Sequence, residues 1–419
     1  MEILRIRGGT RLEGSVPVSG AKNAALPILF AGILSDQPSQ LRNVPDLADI
    51  KTTLKVLETL GISVTRDGDR VELHAKQLSS IEAPYDLVRT MRASVLVLGP
   101  LLARKGEARV SLPGGCAIGA RPVDFHLSAL EKLGAIFDIE GGYIHGRAPD
   151  GLRGATMALP FPSVGATENA LMAAALASGF SEIQNAACEP EIIDLAEALR
   201  SMGARITGEG TPIIRTEGVP SLGGMNHAIA PDRVEAATFL CAGLISKGKV
   251  RVTGIAPHYL GSALEVLGSM GAKISSGTDW VEAESTGVLL PAHIKTAPFP
   301  GFPTDMQAQF MALMTQAEGN SKIEETIFEN RFMHVPELAR LGARIRIQGN
   351  EALVEGPTRL SGATVMATDL RASASLVIAG VVAAGETLIR RIYHLDRGYE
   401  KLELKLSALG AQIHRETEK

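Results

Sequence analysis

The sequence predicts an α/β protein of two similar bodies, each built from three copies of one repeat, with helices buried and sheets lining them. Three observations carry that prediction. A Leu-x-x-(Leu/Met)-Gly-(Ala/Ile) motif occurs six times at nearly constant spacing. A second, almost wholly apolar helix precedes each copy, and an alternating strand pair follows it.

The motif glycines are Gly61, Gly134, Gly203, Gly271, Gly342 and Gly410, at intervals of 73, 69, 68, 71 and 68 residues. That period is too long for an ordinary solenoid. Leu-x-x-Leu closes an amphipathic helix, and the glycine supplies its left-handed C-terminal cap. Strand pairs follow, as in "ARITGEGTPIIRTEG" and "ARIRIQGNEALVEG". The preceding helices run from "AALPILFAGILS" through "MRASVLVLGPLLARKG", "GATENALMAAALASG", "DRVEAATFLCAGLISKG" and "DMQAQFMALMTQAEG" to "LRASASLVIAGVVAAG". They are apolar all round, so they should be buried. Each repeat therefore reads helix, strand, helix, then two or three strands. Repeats one to three make a domain over residues 22–229. The other domain takes 230–419 and borrows 1–21, a lone N-terminal strand. Crossings near Ala21 and Ala230 would hinge the pair and leave a cleft suited to a ligand.

Composition narrows the function. Of 419 residues, 45% are hydrophobic and 21% charged, and the net charge is −4, which argues against a nucleic-acid or anionic-membrane surface. Aromatics are only 4%, too few for a base-stacking platform. There is no signal-peptide pattern at "MEILRIRGGT" and no apolar run of spanning length, so a cytoplasmic protein is expected. No P-loop, Rossmann glycine fingerprint, His-Glu-x-x-His or Cys-x-x-Cys appears, so no cofactor and no metal site are expected.

The three cysteines, Cys116, Cys188 and Cys241, form no disulfide framework. Cys241 in "FLCAGL" and Cys188 in "NAACEPEII" read as small core residues. Cys116 differs. It stands in "SLPGGCAIGARPVD", 18 residues before its motif glycine where Cys188 stands 15 before its own, so the second repeat carries a longer loop. Such a loop exposes the sulfur, and Arg121 favours its thiolate. The six buried helices also open on polar residues in equivalent positions: Lys22-Asn23, Arg92, Ser163 to Thr167, Asp232-Arg233, Thr304-Asp305 and Asp369-Arg371. Capping accounts for Asp232, Ser163 and Asp369, and is the default for Asp305. It does not account for Lys22, Arg92 and Arg371. A cation at the positive end of a helix dipole needs an anion beside it, most naturally phosphate. Arg331 and Arg397, taken singly, read as solvated surface arginines.

The segments "SGAKNAALPILFA", "PYDLVRTMRAS", "SLPGGCAIGARPVD", "FPTDMQAQF", "ENRFMHVPEL", "MATDLRASASL" and "YHLDRGYE" together resemble the UDP-N-acetylglucosamine 1-carboxyvinyltransferases of the enolpyruvyl transferase family, over the whole chain. The resemblance implies two inside-out α/β barrels. It implies transfer of the enolpyruvyl group of phosphoenolpyruvate to the 3′-hydroxyl of UDP-N-acetylglucosamine, with release of phosphate. Lys22, Asn23, Arg121 and Arg397 would hold phosphoenolpyruvate. Arg92, Arg121, Pro122, Val123, Asp124, Phe125, Ser163, Val164, Gly165, Asp305 and Ile327 would face the UDP-sugar. Cys116, Asp305 and Lys22 would be catalytic, with Cys116 as general acid and adduct site, and Arg331, Asp369 and Arg371 would add charge. Lysines common in that family at Ala48 and near Phe161, and a tryptophan near Leu96, are absent. The alternatives are 5-enolpyruvylshikimate-3-phosphate synthase and a phosphometabolite-binding regulator without turnover.

Overall fold

The computed structural model describes residues 2–88, 91–112 and 123–418, with Arg92 described by its backbone alone. The described chain forms two compact bodies. The first holds residues 20–112 and 123–230, and the second holds 2–19 and 231–418. Each has its own hydrophobic core.

The cores are built on six helices. We label them α1 (Lys22–Ala31), α2 (Leu98–Lys105, entered through the 3-10 turn Arg92–Val97), α3 (Val164–Ala174), α4 (Arg233–Ile245), α5 (Gln307–Met314) and α6 (Ser373–Val382). Five of them are buried along most of their length because apolar and small residues dominate every face, whereas α2 buries Leu98 to Leu102 and ends on the half-buried Arg104 and the exposed Lys105. In the second body α4, α5 and α6 pack against one another in all three pairings.

Each amphipathic motif helix ends alike. All six motif glycines have φ between 91° and 103°, where an L side chain would be strained. The next amide donates back to the first leucine of the motif at 3.1 Å in five repeats, as from Ile62 to Leu57, and at 3.0 Å from Ala411 to Leu406. This is the cap expected from the motif.

Six four-stranded sheets cover the helices, all with one topology. A short edge strand runs parallel to its neighbour, and the remaining two pairings are antiparallel. The edge strand is handed on from the preceding repeat: Glu82–Ala83 edges the Glu107–Ser111 sheet, and Thr156–Ala158 edges Phe180–Gln184. Asn226–Ala228 returns to Ser39–Arg42 and closes the ring of the first body. In the second body the N-terminal segment closes the ring with two strands where one is expected. Glu2–Arg7 lies between Glu386–Arg390 and Gln412–Thr417, and Glu13–Pro17 edges Lys249–Thr253. Alternation along each strand turns one face to the helices, as with Val71 and Leu73.

Candidate active site

The starts of the buried helices carry polar side chains, and the described ones are used differently in the two bodies. In the second body α4 opens on Asp232. Its Oδ1 accepts from the amides of Val234 and Glu235, an N-cap, while its Oδ2 accepts from Arg371 Nη2 at 2.7 Å. Asp369 holds the turn ahead of α6, accepting from the amides of Arg371 at 2.8 Å and Ala372 at 2.6 Å, while the N-cap position of α6 is Ala372, which makes no side-chain cap bond. Arg371 is 1% exposed and also donates to the Gly398 carbonyl at 2.7 Å. Burial opposes its charge, but Asp232, Tyr399 and Asp305 together raise its pKa. The anion beside this cation is therefore a carboxylate of the protein itself.

Asp305 lies in the 3-10 turn Thr304–Met306. The N-cap of α5 is Met306, which makes no side-chain cap bond, so Asp305 is not placed as a helix cap. Its Oδ1 accepts from Arg331 Nη2 at 2.7 Å. Arg331 is 3% exposed, which corrects its reading as a solvated arginine. Burial opposes its charge too, and Asp305, Asp369 and Glu325 raise its pKa. Three carboxylates thus act on this guanidinium, and their charge offsets its burial. The Arg331 carbonyl is held by Gln307 Nε2 at 3.0 Å.

Behind the pair lies His334, fully buried between the fields of Arg331 and Asp369. Desolvation brings its pKa down to about 4, with Asp369 opposing and Arg331 assisting. Arg397 ends the 3-10 turn Ile392–Arg397 and is half-buried, not a fully solvated arginine. Burial and then Arg391 and Arg397 lower the pKa of the neighbouring His394, which also senses Asp369. Asp305, Arg331, Asp369, Arg371 and Arg397 therefore belong to one charged cluster. Glu325 shapes its rim, accepting from Thr296, Thr304 and the amides of Ile327 and Phe328 at 2.8–3.2 Å.

In the first body Lys22 opens α1 at 8% exposure, with its Nζ 3.4 Å from Asp49 Oδ2. Here too a protein carboxylate stands by the helix-start cation. Asn23 follows it, half-buried. Ser163 caps α3, its Oγ accepting from Ala166 N at 3.4 Å. Val123 is the N-cap position of helix Asp124–Lys132, with Asp124 exposed and Phe125 half-buried against the core. Val164 packs against the same core. A Cβ at Gly165 would fall 2.9 Å from the His126 ring, so the bare glycine leaves room for the imidazole. Asn169 anchors this corner through the Gly99 amide at 2.7 Å, the Val95 carbonyl at 3.0 Å and His126 Nδ1 at 3.2 Å. Cys116, Arg121, Pro122 and the Arg92 side chain lie outside the described residues. Of the other cysteines, Cys241 is fully buried, which pushes its thiol up, and Cys188 is half-buried with its pKa raised by burial and then Glu189.

Sequence reasoning missed Gln307, Gln309, Glu325, His334 and Tyr399, each of which holds or faces the charged cluster. Polar residues inside an otherwise apolar helix, as in "DMQAQFMALM", were the available signal for the two glutamines. Among the described residues no group of His, Cys, Asp and Glu is arranged to hold a metal ion, and no helix is long and apolar enough to cross a membrane.

The family described as EPSP synthase (3-phosphoshikimate 1-carboxyvinyltransferase) matches residues 6–406. The UDP-N-acetylglucosamine 1-carboxyvinyltransferase of Nitratidesulfovibrio vulgaris (strain Hildenborough) is 57% identical over 419 residues, 100% of each chain. That of Caulobacter vibrioides (strain NA1000) is 55% identical over 420 residues, covering 99% of this chain and 98% of the relative. Among solved structures, the enolpyruvyl transferase NikO from Streptomyces tendae superposes with a TM-score of 0.90 at 29% identity, over 100% of this chain and 99% of that one. An EPSP synthase from Acinetobacter baumannii shares the fold, with a TM-score of 0.78 at 19% identity over 100% of both chains.

Proposed function

The chain belongs to the enolpyruvyl transferase family, and from that premise we propose that it transfers the enolpyruvyl group of phosphoenolpyruvate to the 3′-hydroxyl of UDP-N-acetylglucosamine, releasing phosphate. This is the step that commits the sugar nucleotide to peptidoglycan. The observation that carries the reading is full-length identity of 55–57% to transferases of that name, and the Asp305–Arg331 pair accords with it.

The chemistry asks for these residue types. Phosphoenolpyruvate carries a phosphate and a carboxylate, so several cations must converge on it; Lys22, Asn23, Arg121 and Arg397 fill that role in our reading. Asp305 takes the proton of the sugar 3′-hydroxyl as oxygen bonds to C2, while Cys116 delivers a proton to C3. A tetrahedral ketal results. Loss of a C3 proton and departure of phosphate from C2 then restore the double bond. Cys116 also serves, in this reading, as the site of a transient thioketal. Arg331 fixes the direction of the Asp305 carboxylate, and Ser163, Val164, Gly165, Ile327 and residues 121–125, with Arg92, receive the UDP-sugar.

The test is phosphate release with both substrates, with shikimate 3-phosphate as the competing acceptor. Release with UDP-N-acetylglucosamine alone supports the proposal. Release only with shikimate 3-phosphate, or ligand binding without release, replaces it. Intact mass after treatment with an alkylating epoxide such as fosfomycin tests Cys116: one adduct is expected on the native chain and none on Cys116→Asp.

A further inference from the structure

The buried amide of Gln309, on α5, reaches both chemically important segments of the second body. Its Nε2 lies 3.2 Å from the Asp305 carbonyl, 2.9 Å from the Tyr399 hydroxyl and 3.4 Å from Thr238 Oγ1. A carbonyl only accepts, so the Asp305 contact fixes which end of the amide points there. Thr238 has one hydroxyl proton, directed to the Val234 carbonyl at 2.7 Å. The Tyr399 hydroxyl, 2.9 Å from Thr238 Oγ1, must then donate to it and accept from Gln309. The result is a directed chain: Gln309 to Tyr399 to Thr238 to the α4 backbone, with the second Gln309 proton on Asp305.

Tyr399 follows Arg397 by two residues. The residue between them, Gly398, is held as well. Its carbonyl takes Arg371 Nη1 at 2.7 Å, and a Cβ there would meet Leu370 Cδ1 at 2.8 Å. The Arg371 guanidinium also sits 5.2 Å from the Tyr399 ring centroid. The Arg397 turn is thus pinned on its C-terminal side to Arg371 and, through Tyr399 and Gln309, to α5, the helix that follows the Asp305 turn.

We propose that Gln309 and Tyr399 are positioning residues that set Asp305 and Arg397 in register with each other. The inference rests on the reading above, in which Asp305 is the base and Arg397 a phosphoenolpyruvate ligand. Errors of about 1 Å in such placement cost on the order of a hundredfold in rate, so a rigid buried link is the type of device the chemistry requires. A buried chain of neutral hydrogen bonds is also stiff, because each bond polarises the next and no water competes. Burial pushes the Tyr399 phenol up to about 12, against the pull of Arg371, so the hydroxyl keeps its proton across the working range.

The test compares Gln309→Met, Tyr399→Phe, the double variant and Leu244→Ala. Leu244 is a core residue at the opposite end of α4 and serves as a control for lost stability alone. Gln309→Met and Tyr399→Phe should each raise KM for phosphoenolpyruvate about five- to tenfold, the equivalent of one buried hydrogen bond, and lower kcat. The double variant should lose no more than the worse single one, because both break one chain. Leu244→Ala should lower Tm and leave KM alone. Unchanged KM in both single variants, or losses that multiply in the double, overturn the proposal. If the native enzyme releases no phosphate, the substrate reading fails instead, and amide exchange judges the link by itself. Gln309→Met should then speed exchange at Gly398 and Tyr399, which donate to the Leu395 carbonyl at 2.9 Å, by about tenfold; native rates there would refute it.

Discussion

The two bodies share one chassis and differ at the starts of their buried helices. Both have three buried helices, three sheets of identical topology and the same glycine caps. In the second body the helix starts are cross-braced by buried charge: Asp232 takes Arg371, Asp305 takes Arg331, and Gln309 and Tyr399 link the segments between. In the first body the described ties are weaker, with Lys22 at 3.4 Å from Asp49 and a neutral corner around Asn169. The difference teaches that the repeat fixes where helix starts point, while the side chains placed there decide how rigid that end becomes.

The largest expected effect tests whether the braced body carries the base. Asp305→Asn should lower kcat by about 10²–10⁴ and also lower Tm, because it takes a carboxylate from the buried Arg331; phosphate release and calorimetry measure the two effects. Near-native turnover would remove Asp305 from the chemistry. Next comes the bracing itself. Arg371→Met leaves Asp232 buried without its cation and should destabilise the second body by about 3–5 kcal/mol. Lys22→Met should cost the first body less, about 1–2 kcal/mol, in denaturant unfolding. Equal losses would erase the contrast.

The pH response sharpens it further. His334 is neutral in the folded second body, its pKa lowered by burial to about 4 from the ordinary histidine value of 6.5. Between those values the unfolded chain binds a proton that the folded one does not. Its contribution is therefore complete above pH 6.5 and is lost as pH falls toward 4, by on the order of a few kcal/mol. His334→Leu should flatten that acid limb in melts from pH 7 to 4.5; an unaltered limb assigns the loss elsewhere. Glu168 in the first body titrates in the opposite sense. Burial first, then Glu191 and Glu189, raise its pKa well above 4.5, so the folded state holds a proton that the unfolded one releases, and stability falls as pH rises. Glu168→Gln should raise the first body's Tm at pH 8 by about 2–4 °C and lose that gain near pH 4.5. A gain of equal size at both values would contradict the assignment.

The sequence determined what is local. Six motif glycines announced six caps, and apolar helices announced their own burial, because a helix end or a face is set by residues within a few positions of each other. The capping roles of Asp232 and Ser163 were legible for the same reason, whereas Asp369 holds the turn ahead of α6, whose N-cap is Ala372. Tertiary structure alone decided the partners of the charges. Arg331 meets Asp305 across 26 positions, Gln309 meets Tyr399 across 90, and Arg371 meets Asp232 across 139. No periodicity encodes such contacts, since they arise only when successive repeats close their ring and bring helix starts together. An arginine such as Arg331 then reads as solvated from its neighbours in sequence, because a buried charge is costly until a distant carboxylate, invisible locally, stands beside it.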